Sequence, residues 1–357
     1  MRWLRDGFGR VHTYLRISLT DKCNLRCRYC MPEAGVPNPT PNAALLTPSE
    51  LGGLARYLVQ ERGVRKLRLT GGEPLLRHDL LEVLRALRSV TGREQRAASG
   101  LHAFGLTTNA VHLERYLPAL VASGLDAVNI SLDTLRADRF TALTRRDGQA
   151  HLPRVLRAVD AAVDAGLRVR VNCVVMRGRN DDELETFCEY FAQAPARGLS
   201  EMVDAVRFIE YMPFEGNEWH QGKMVSYAEM RQRLQPRLLR DTAEPDRHDT
   251  TKYWRYRTRD GTEVPLRVGF ITSMSEHFCA GCNRLRITAN GHLRPCLFGR
   301  HEVDLRPFVQ RDDWEACGAA IDAALLRKAF ALGGASSALN DLPQRMAHDR
   351  PMTAIGG

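Results

Sequence analysis

Tyr14-Leu15-Arg16-Ile17-Ser18-Leu19-Thr20-Asp21-Lys22-Cys23-Asn24-Leu25-Arg26-Cys27-Arg28-Tyr29-Cys30-Met31-Pro32 is the stretch that decides the fold. Its first six residues alternate polar and apolar, the period of a half-buried strand. Cys23, Cys27 and Cys30 follow at C-x3-C-x2-C, so three thiols share one loop just past that strand's C-terminal end. In an α/β barrel this end is where sites are built. Three thiolates so close repel one another unless a cationic centre neutralises them, and thiolate is a soft ligand suited to zinc or an iron–sulfur cluster. A cluster usually takes four cysteines, so three leave one iron open to a small molecule. A structural zinc with a distant fourth ligand is the alternative.

Outward from this loop the chain keeps a regular rhythm. The segment 32–48 is rich in Pro, Asn, Ala and Thr and reads as a loop. Thr47-Pro48-Ser49-Glu50 then starts a helix, with Thr47 as N-cap, Pro48 at N1 and Glu50 closing a capping box. Strands are expected over 66–70, 103–107, 127–132, 167–175 and 204–210, and helices over 48–62, 79–88, 112–123, 137–143, 152–165 and 181–193. Residues 91–104 read as a loop. Strands alternating with helices imply βαβ units and a parallel sheet. Six such units are too few to close an eight-fold barrel, so the expected fold is α/β, an incomplete, open βα barrel over 1–213. The rhythm breaks near residue 214, and 214–357 reads as a C-terminal module of mixed type.

Composition narrows the class. Hydrophobic residues make up 44% of the 357 and charged ones 26%, ordinary for a globular protein. No apolar run approaches the eighteen residues of a membrane span, and no signal peptide is visible, so a cytoplasmic protein with no membrane partner is expected. Nine cysteines, six of them in two tight groups, suggest metal binding or catalysis rather than disulfides. The formal charge of +9 suits an anionic ligand. No basic stripe interleaved with aromatics points to nucleic acid.

The second group is Cys279-Ala280-Gly281-Cys282 with Cys296, spaced C-x2-C-x13-C. Beside the first group it argues for a second cluster, the alternative being zinc with His277 or His292 as fourth ligand. Between these cysteines lies Asn283-Arg284-Leu285-Arg286-Ile287. On an extended segment Arg284 and Arg286 point to one side, and two guanidinium forks suit a polyphosphate or carboxylate.

These motifs together resemble the radical S-adenosylmethionine (SAM) superfamily and, within it, the GTP 3′,8-cyclase family of molybdenum cofactor biosynthesis. The resemblance runs from Asp6-Gly7-Phe8-Gly9-Arg10 to Gly356-Gly357. It implies a lyase-type radical SAM enzyme with two [4Fe–4S] clusters. Cys23, Cys27 and Cys30 would hold the first, whose open iron chelates SAM, with Tyr29, Gly72, Ser131 and Met212 as SAM contacts. Cys279, Cys282 and Cys296 would hold the second, whose open iron meets the guanine. Arg16, Arg68, Thr107, Arg284, Leu285 and Arg286 match GTP contacts. Arg170 stands where the family usually has lysine, which keeps the charge and alters the shape. The resemblance also implies that the tail, Gly356 and Gly357, enters the active site.

The implied reaction converts GTP to (8S)-3′,8-cyclo-7,8-dihydroguanosine 5′-triphosphate. It needs a one-electron reductant of flavodoxin or ferredoxin type and a downstream cyclic pyranopterin monophosphate synthase. A homodimer is one option for the assembly, which the sequence does not specify. Cys173, Cys188 and Cys317 match no ligand position and read as core thiols. Three alternatives remain at this level: a radical SAM enzyme acting on a peptide, a non-catalytic two-cluster electron-transfer protein, and a zinc-stabilised nucleic-acid-binding protein.

Overall fold

The computed structural model describes residues 2–193, 201–244, 246–347 and 349–355. The chain opens with β1 (Tyr14–Ser18), α1 (Pro48–Gln60), β2 (Lys66–Thr70), α2 (Leu80–Thr91), α3 (Arg93–Ser99), β3 (Ala103–Thr108), α4 (Leu113–Ala122) and β4 (Ala127–Ser131). It continues through α5 (Ala137–Thr144), α6 (Gly148–Asp164), β5 (Arg168–Val175), α7 (Leu184–Ala192) and β6 (Ala205–Glu210). All six strands and their helices fall where the periodicity places them, apart from shifts at some ends. Thr47 caps α1 with the expected capping box. Helix α6 starts earlier than read, because Asp147 caps it by accepting from the backbone N–H groups of Gln149 and Ala150. Residues 91–104 are not a loop, since α3 occupies half of them and the ends of α2 and β3 take up others. Gly100 ends α3 at φ 75°, and Arg96 ties it down through Asp126 and the Thr91 carbonyl. Its sequence, Arg-Glu-Gln-Arg-Ala-Ala-Ser, is polar and short, so it shows no apolar stripe to read.

β1 to β6 lie side by side in chain order, all parallel, as an open barrel requires. The later strands are β7 (Leu238–Arg240), β8 (Thr251–Arg257), β9 (Glu263–Ile271), β10 (Arg284–Ile287), β11 (His292–Arg294) and β12 (Val303–Asp304). They continue the same sheet at both edges: β9 pairs parallel with β6, and β10 pairs parallel with β1. The result is one 12-stranded sheet. Helices α8 (Tyr227–Leu234), α9 (Arg306–Gln310), α10 (Trp314–Leu326) and α11 (Asp341–Met346) complete the chain, with a last 3-10 turn over Met352–Ile355.

The two faces of the parallel strands differ. Leu15, Ile17, Leu67, Leu69, Phe104 and Leu106 enter the main hydrophobic core, where each aliphatic or aromatic side chain contributes about 1.5–3 kcal/mol. The residues between them, Arg16, Arg68 and Thr107, face inward and line a cavity. A closed barrel fills its interior with apolar layers. Here Arg16, Arg68, Arg170 and Arg207 face that interior beside Val174, Ile209 and Ile271, so charged and apolar side chains line it together.

Candidate active site

The first cysteine loop is held on two sides. The backbone N–H of Arg26 donates to Thr144 O at 2.9 Å and that of Arg28 to Leu143 O at 3.0 Å. Arg145 and Arg146, just past α5, donate to the carbonyls of Arg26 and Asn24, each at 3.0 Å. From the other side, Gly71-Gly72 presses against the loop's start. A Cβ on Gly71 would lie 2.4 Å from Thr20 O, and one on Gly72 would lie 2.5 Å from both Asp21 O and Lys22 O. Only glycine permits this approach. Glu73 follows, buried, accepting from Thr108 Oγ1 and from the backbone N–H groups of Asn109 and Leu75. Burial raises its carboxyl to about 7.

Cys23, Cys27 and Cys30 share a cavity of about 100 Å3 with Gly72, Ser131 and Thr353. Burial, with the Glu73 charge, pushes the Cys23 thiol up to about 12, and burial with Asp133 pushes Cys27 up. Thiols grouped this way ionise readily only beside a cationic centre. N–H groups already point at Cys23 Sγ: the Leu25 amide at 3.4 Å and Asn109 Nδ2 at 3.8 Å. Soft donors with N–H···S support fit an iron–sulfur group.

Cys279, Cys282 and Cys296 line a second, larger cavity of about 260 Å3. Neither His277 nor His292 is among its described lining residues. Leu332 N–H donates to Cys279 Sγ at 3.5 Å, and Lys328 Nζ to Cys282 Sγ at 3.6 Å. Burial opposes ionisation of Cys282, but Lys328 and Arg284 hold its thiol below the ordinary value.

The larger cavity also carries a wall of cations. Strand register builds it: Arg286 pairs with Arg16 and Arg16 with Arg68, while Arg284 pairs with Tyr14 and Tyr14 with Lys66. Tyr14 is the hub. Its hydroxyl is 2.6 Å from Arg68 Nε, and Lys66 Nζ stands 4.8 Å from its ring centre. Burial alone would raise its phenol, yet Arg68, Arg16, Lys66 and Arg284 bring it down to about 6. Further round, Arg170 donates to Asp204 at 2.5 Å, and Arg207 donates to Asn172 at 2.9 Å. Burial, with Arg16 and Arg284 alongside, pushes Arg286 down to about 9. Like charges gathered in a buried wall repel, and a polyanion offsets that repulsion. Thr107 Oγ1 and Asn129 Oδ1 are buried in the same wall with no protein partner, as groups that meet a ligand would be.

Two strand glycines make room for this wall. Gly105 is the register partner of Arg68, and a Cβ there would sit 2.8 Å from the Arg68 guanidinium. Gly269 is the register partner of Arg207, and a Cβ there would sit 3.0 Å from Arg207 Cγ.

Arg16, Arg68, Thr107, Arg170, Arg284 and Arg286, singled out from the sequence, line the larger cavity together with Met212. Gly72 lines the smaller, and Tyr29 and Ser131 line both. The Leu285 side chain goes the other way, into the main core. Gly356 and Gly357 lie outside the described residues. Cys173, Cys188 and Cys317 are core thiols, as read. Sequence reading missed Tyr14, Lys66, Asn129, Asp133, Asn172, Arg207 and Lys328. Most share the period-two parity of the arginines it found; Lys328 carries no such signal. Asp133 accepts from the Tyr29 hydroxyl, and burial raises its carboxyl to about 7. Tyr29, Thr107, Ser131, Asp133 and Met352 line both cavities, so one partition separates the two cysteine sites.

Residues 17–191 match the radical SAM superfamily model, and residues 204–332 match the model described as Molybdenum Cofactor Synthesis C. The fold resembles that of Streptococcus suis SuiB, solved with S-adenosylmethionine, at a TM-score of 0.55 and 14% identity over 86% of this chain and 64% of that one. Molybdenum cofactor biosynthesis protein 1 of Mus musculus is 50% identical over 86% of this chain. The chain spans only 45% of that relative's length, and 50% of its Drosophila melanogaster counterpart. The mitochondrial GTP 3′,8-cyclase of Arabidopsis thaliana is 45% identical over 99% of this chain and 83% of its own. The GTP 3′,8-cyclase of Pelotomaculum thermopropionicum is 40% identical, with 92% of this chain and 93% of its own covered. On that identity, carried across most of both cyclases, the chain belongs to the GTP 3′,8-cyclase family of radical SAM enzymes.

Proposed function

We propose that this chain converts GTP to (8S)-3′,8-cyclo-7,8-dihydroguanosine 5′-triphosphate, the first step of molybdenum cofactor biosynthesis. The observation that carries the reading is the shared partition, with a three-cysteine site on each side and a cation wall across the larger cavity. Cys23, Cys27 and Cys30 would hold one [4Fe–4S] cluster, and Cys279, Cys282 and Cys296 the other. When bound, the first cluster and SAM supply the radical chemistry that takes hydrogen from the GTP ribose. The protein's own part is to bind, orient and exclude water. Arg16, Arg68, Arg170, Arg284 and Arg286 grip the triphosphate through charge-assisted hydrogen bonds. Lys66 and Arg207, facing the same cavity, extend that grip. Thr107 and Asn129 offer the polar atoms that meet the nucleoside. Gly72, Tyr29, Ser131 and Met212 set SAM against the partition, so the reacting carbons meet at short range, where a small misplacement is costly in rate.

The reading extends to Gly356 and Gly357 as the tail that reaches GTP, and to a one-electron reductant of flavodoxin or ferredoxin type. It also includes a downstream pyranopterin synthase and a cytoplasmic location. Among the described residues no helix is long and apolar enough to cross a membrane. The test is anaerobic incubation of reconstituted protein with SAM, reductant and GTP. Wild type should yield 5′-deoxyadenosine and the cyclised nucleotide. Cys23→Ser should yield neither, and Cys279→Ser should keep part of the SAM cleavage without cyclisation. Protein that takes up zinc and no iron defeats the reading.

A further inference from the structure

Lys328 lies just beyond α10 and is 6% exposed. Its Nζ donates to His12 Nε2 at 2.7 Å, to Cys282 Sγ at 3.6 Å and to Arg284 O at 3.4 Å. No carboxylate is among these partners. Two of them are neutral: a carbonyl and, by geometry, an imidazole. His12 Nδ1 stands 3.2 Å from Arg10 O, so the proton sits on Nδ1 and Nε2 is left to accept from the lysine. Asp6, which also faces His12 at 3.8 Å, is taken up by Arg10 at 2.7 Å. Arg10 in turn donates to Cys279 O and Phe330 O, each at 2.7 Å. The stretch Asp6-Gly7-Phe8-Gly9-Arg10 therefore braces the second cysteine loop and sets the imidazole that aims Lys328. A buried ammonium is costly without an opposite charge beside it. Of these described partners, the one that can carry a negative charge is Cys282.

We propose that Lys328 is a positioning residue of the second cysteine site, a charged N–H···S donor to Cys282 that raises the reduction potential of the cluster held there. This rests on the reading of Cys279, Cys282 and Cys296 as cluster ligands. The physical basis is general. A hydrogen bond and a positive charge at a ligand sulfur favour the more negative, reduced state of a cluster. Methionine keeps the length of Lys328 and removes its charge; arginine keeps the charge and the donors.

The experiment compares wild type, Lys328→Met and Lys328→Arg, reconstituted anaerobically as the full chain. Each is analysed for iron and titrated potentiometrically with the reduced clusters followed by electron paramagnetic resonance. Wild type should hold about eight irons and show two midpoint potentials. In Lys328→Met one midpoint should fall while the other stays, and Lys328→Arg should return it towards wild type. Loss of half the iron in Lys328→Met, with full iron in Lys328→Arg, supports the same role. Two unmoved midpoints in Lys328→Met overturn it. Loss of half the iron from both variants overturns it too, since a bulky cation would then fail like a neutral side chain and packing would be the cause. Wild type with only four irons would instead remove the second cluster itself, an outcome the iron analysis separates from the others.

Discussion

Arg284 and Arg286 face the cavity from one side of β10, while Leu285 between them fills the core. Losing one guanidinium from a phosphate costs on the order of 1.5–3 kcal/mol. Arg284→Ala and Arg286→Ala should each weaken GTP binding by about ten- to a hundredfold, with SAM cleavage still measurable. Equilibrium dialysis with GTP checks this, and unchanged affinity would place both arginines outside the site. Tyr14 yields a pH prediction. Its phenol is held near 6 in the fold against 10.0 for an ordinary tyrosine. A lowered value adds stability that is complete above the unfolded value and is lost as pH falls towards 6. Ligand-free wild type should therefore lose stability between pH 8 and pH 6 more steeply than Tyr14→Phe does in urea titrations. Equal slopes would mean the phenol stays protonated. Arg16 and Arg68 were legible because a charged residue of inward parity on a strand has no core role; Arg207 and Lys66 carry the same signal and were passed over. Tyr14 was not legible, because an aromatic in a strand is ordinary and its four cationic neighbours come from three different strands.

The loop after β2 shows what a sequence motif leaves unsaid. Gly72 reads as a glycine that lets the backbone approach a ligand, but its Cβ position is taken by the carbonyls of Asp21 and Lys22. Gly72→Ala should therefore displace the first cysteine loop. About half of the iron should be lost, together with SAM cleavage, while the second cluster loads; full iron content would refute this packing argument. Gly105 makes the same point on β3. Gly105→Ala should push the Arg68 guanidinium from its place between Tyr14 and Leu106 O. The fold should survive, because a long side chain can move, and GTP affinity should drop as for the loss of Arg68 itself. Wild-type affinity in Gly105→Ala would show that the guanidinium relaxes freely. Neither role is visible in the chain, since each depends on what a neighbouring segment puts opposite the glycine: a loop for Gly72, a strand for Gly105. Helix α3 escaped for another reason: its seven residues carry no periodic apolar face.

For the whole molecule, the rhythm of strand and helix predicts the six parallel strands, and the break near residue 214 is equally visible. What it does not disclose is where the later strands go. β9 and β10 cover the open edges left by β6 and β1. Pairings this remote leave no local pattern, because each strand looks the same whichever edge it joins. A fragment ending at residue 213 should thus expose two unprotected parallel edges and self-associate. Size-exclusion chromatography should show aggregate, whereas a monodisperse fragment that unfolds cooperatively would mean the first six strands need no cover.

The pairing of β1 with β10 also has a consequence in time. Partners there stand about 270 residues apart. Chains emerge at roughly 5–20 residues per second, so β1 waits on the order of tens of seconds for its neighbour. The first cysteine loop leaves the ribosome early in that interval, as three reduced thiols with no finished pocket round them. Any ion that favours thiolate can reach them before the wall of arginines exists. Correct loading therefore calls for delivery after translation has passed β10, and slow or stalled synthesis of the last third should raise the share of mismetallated protein.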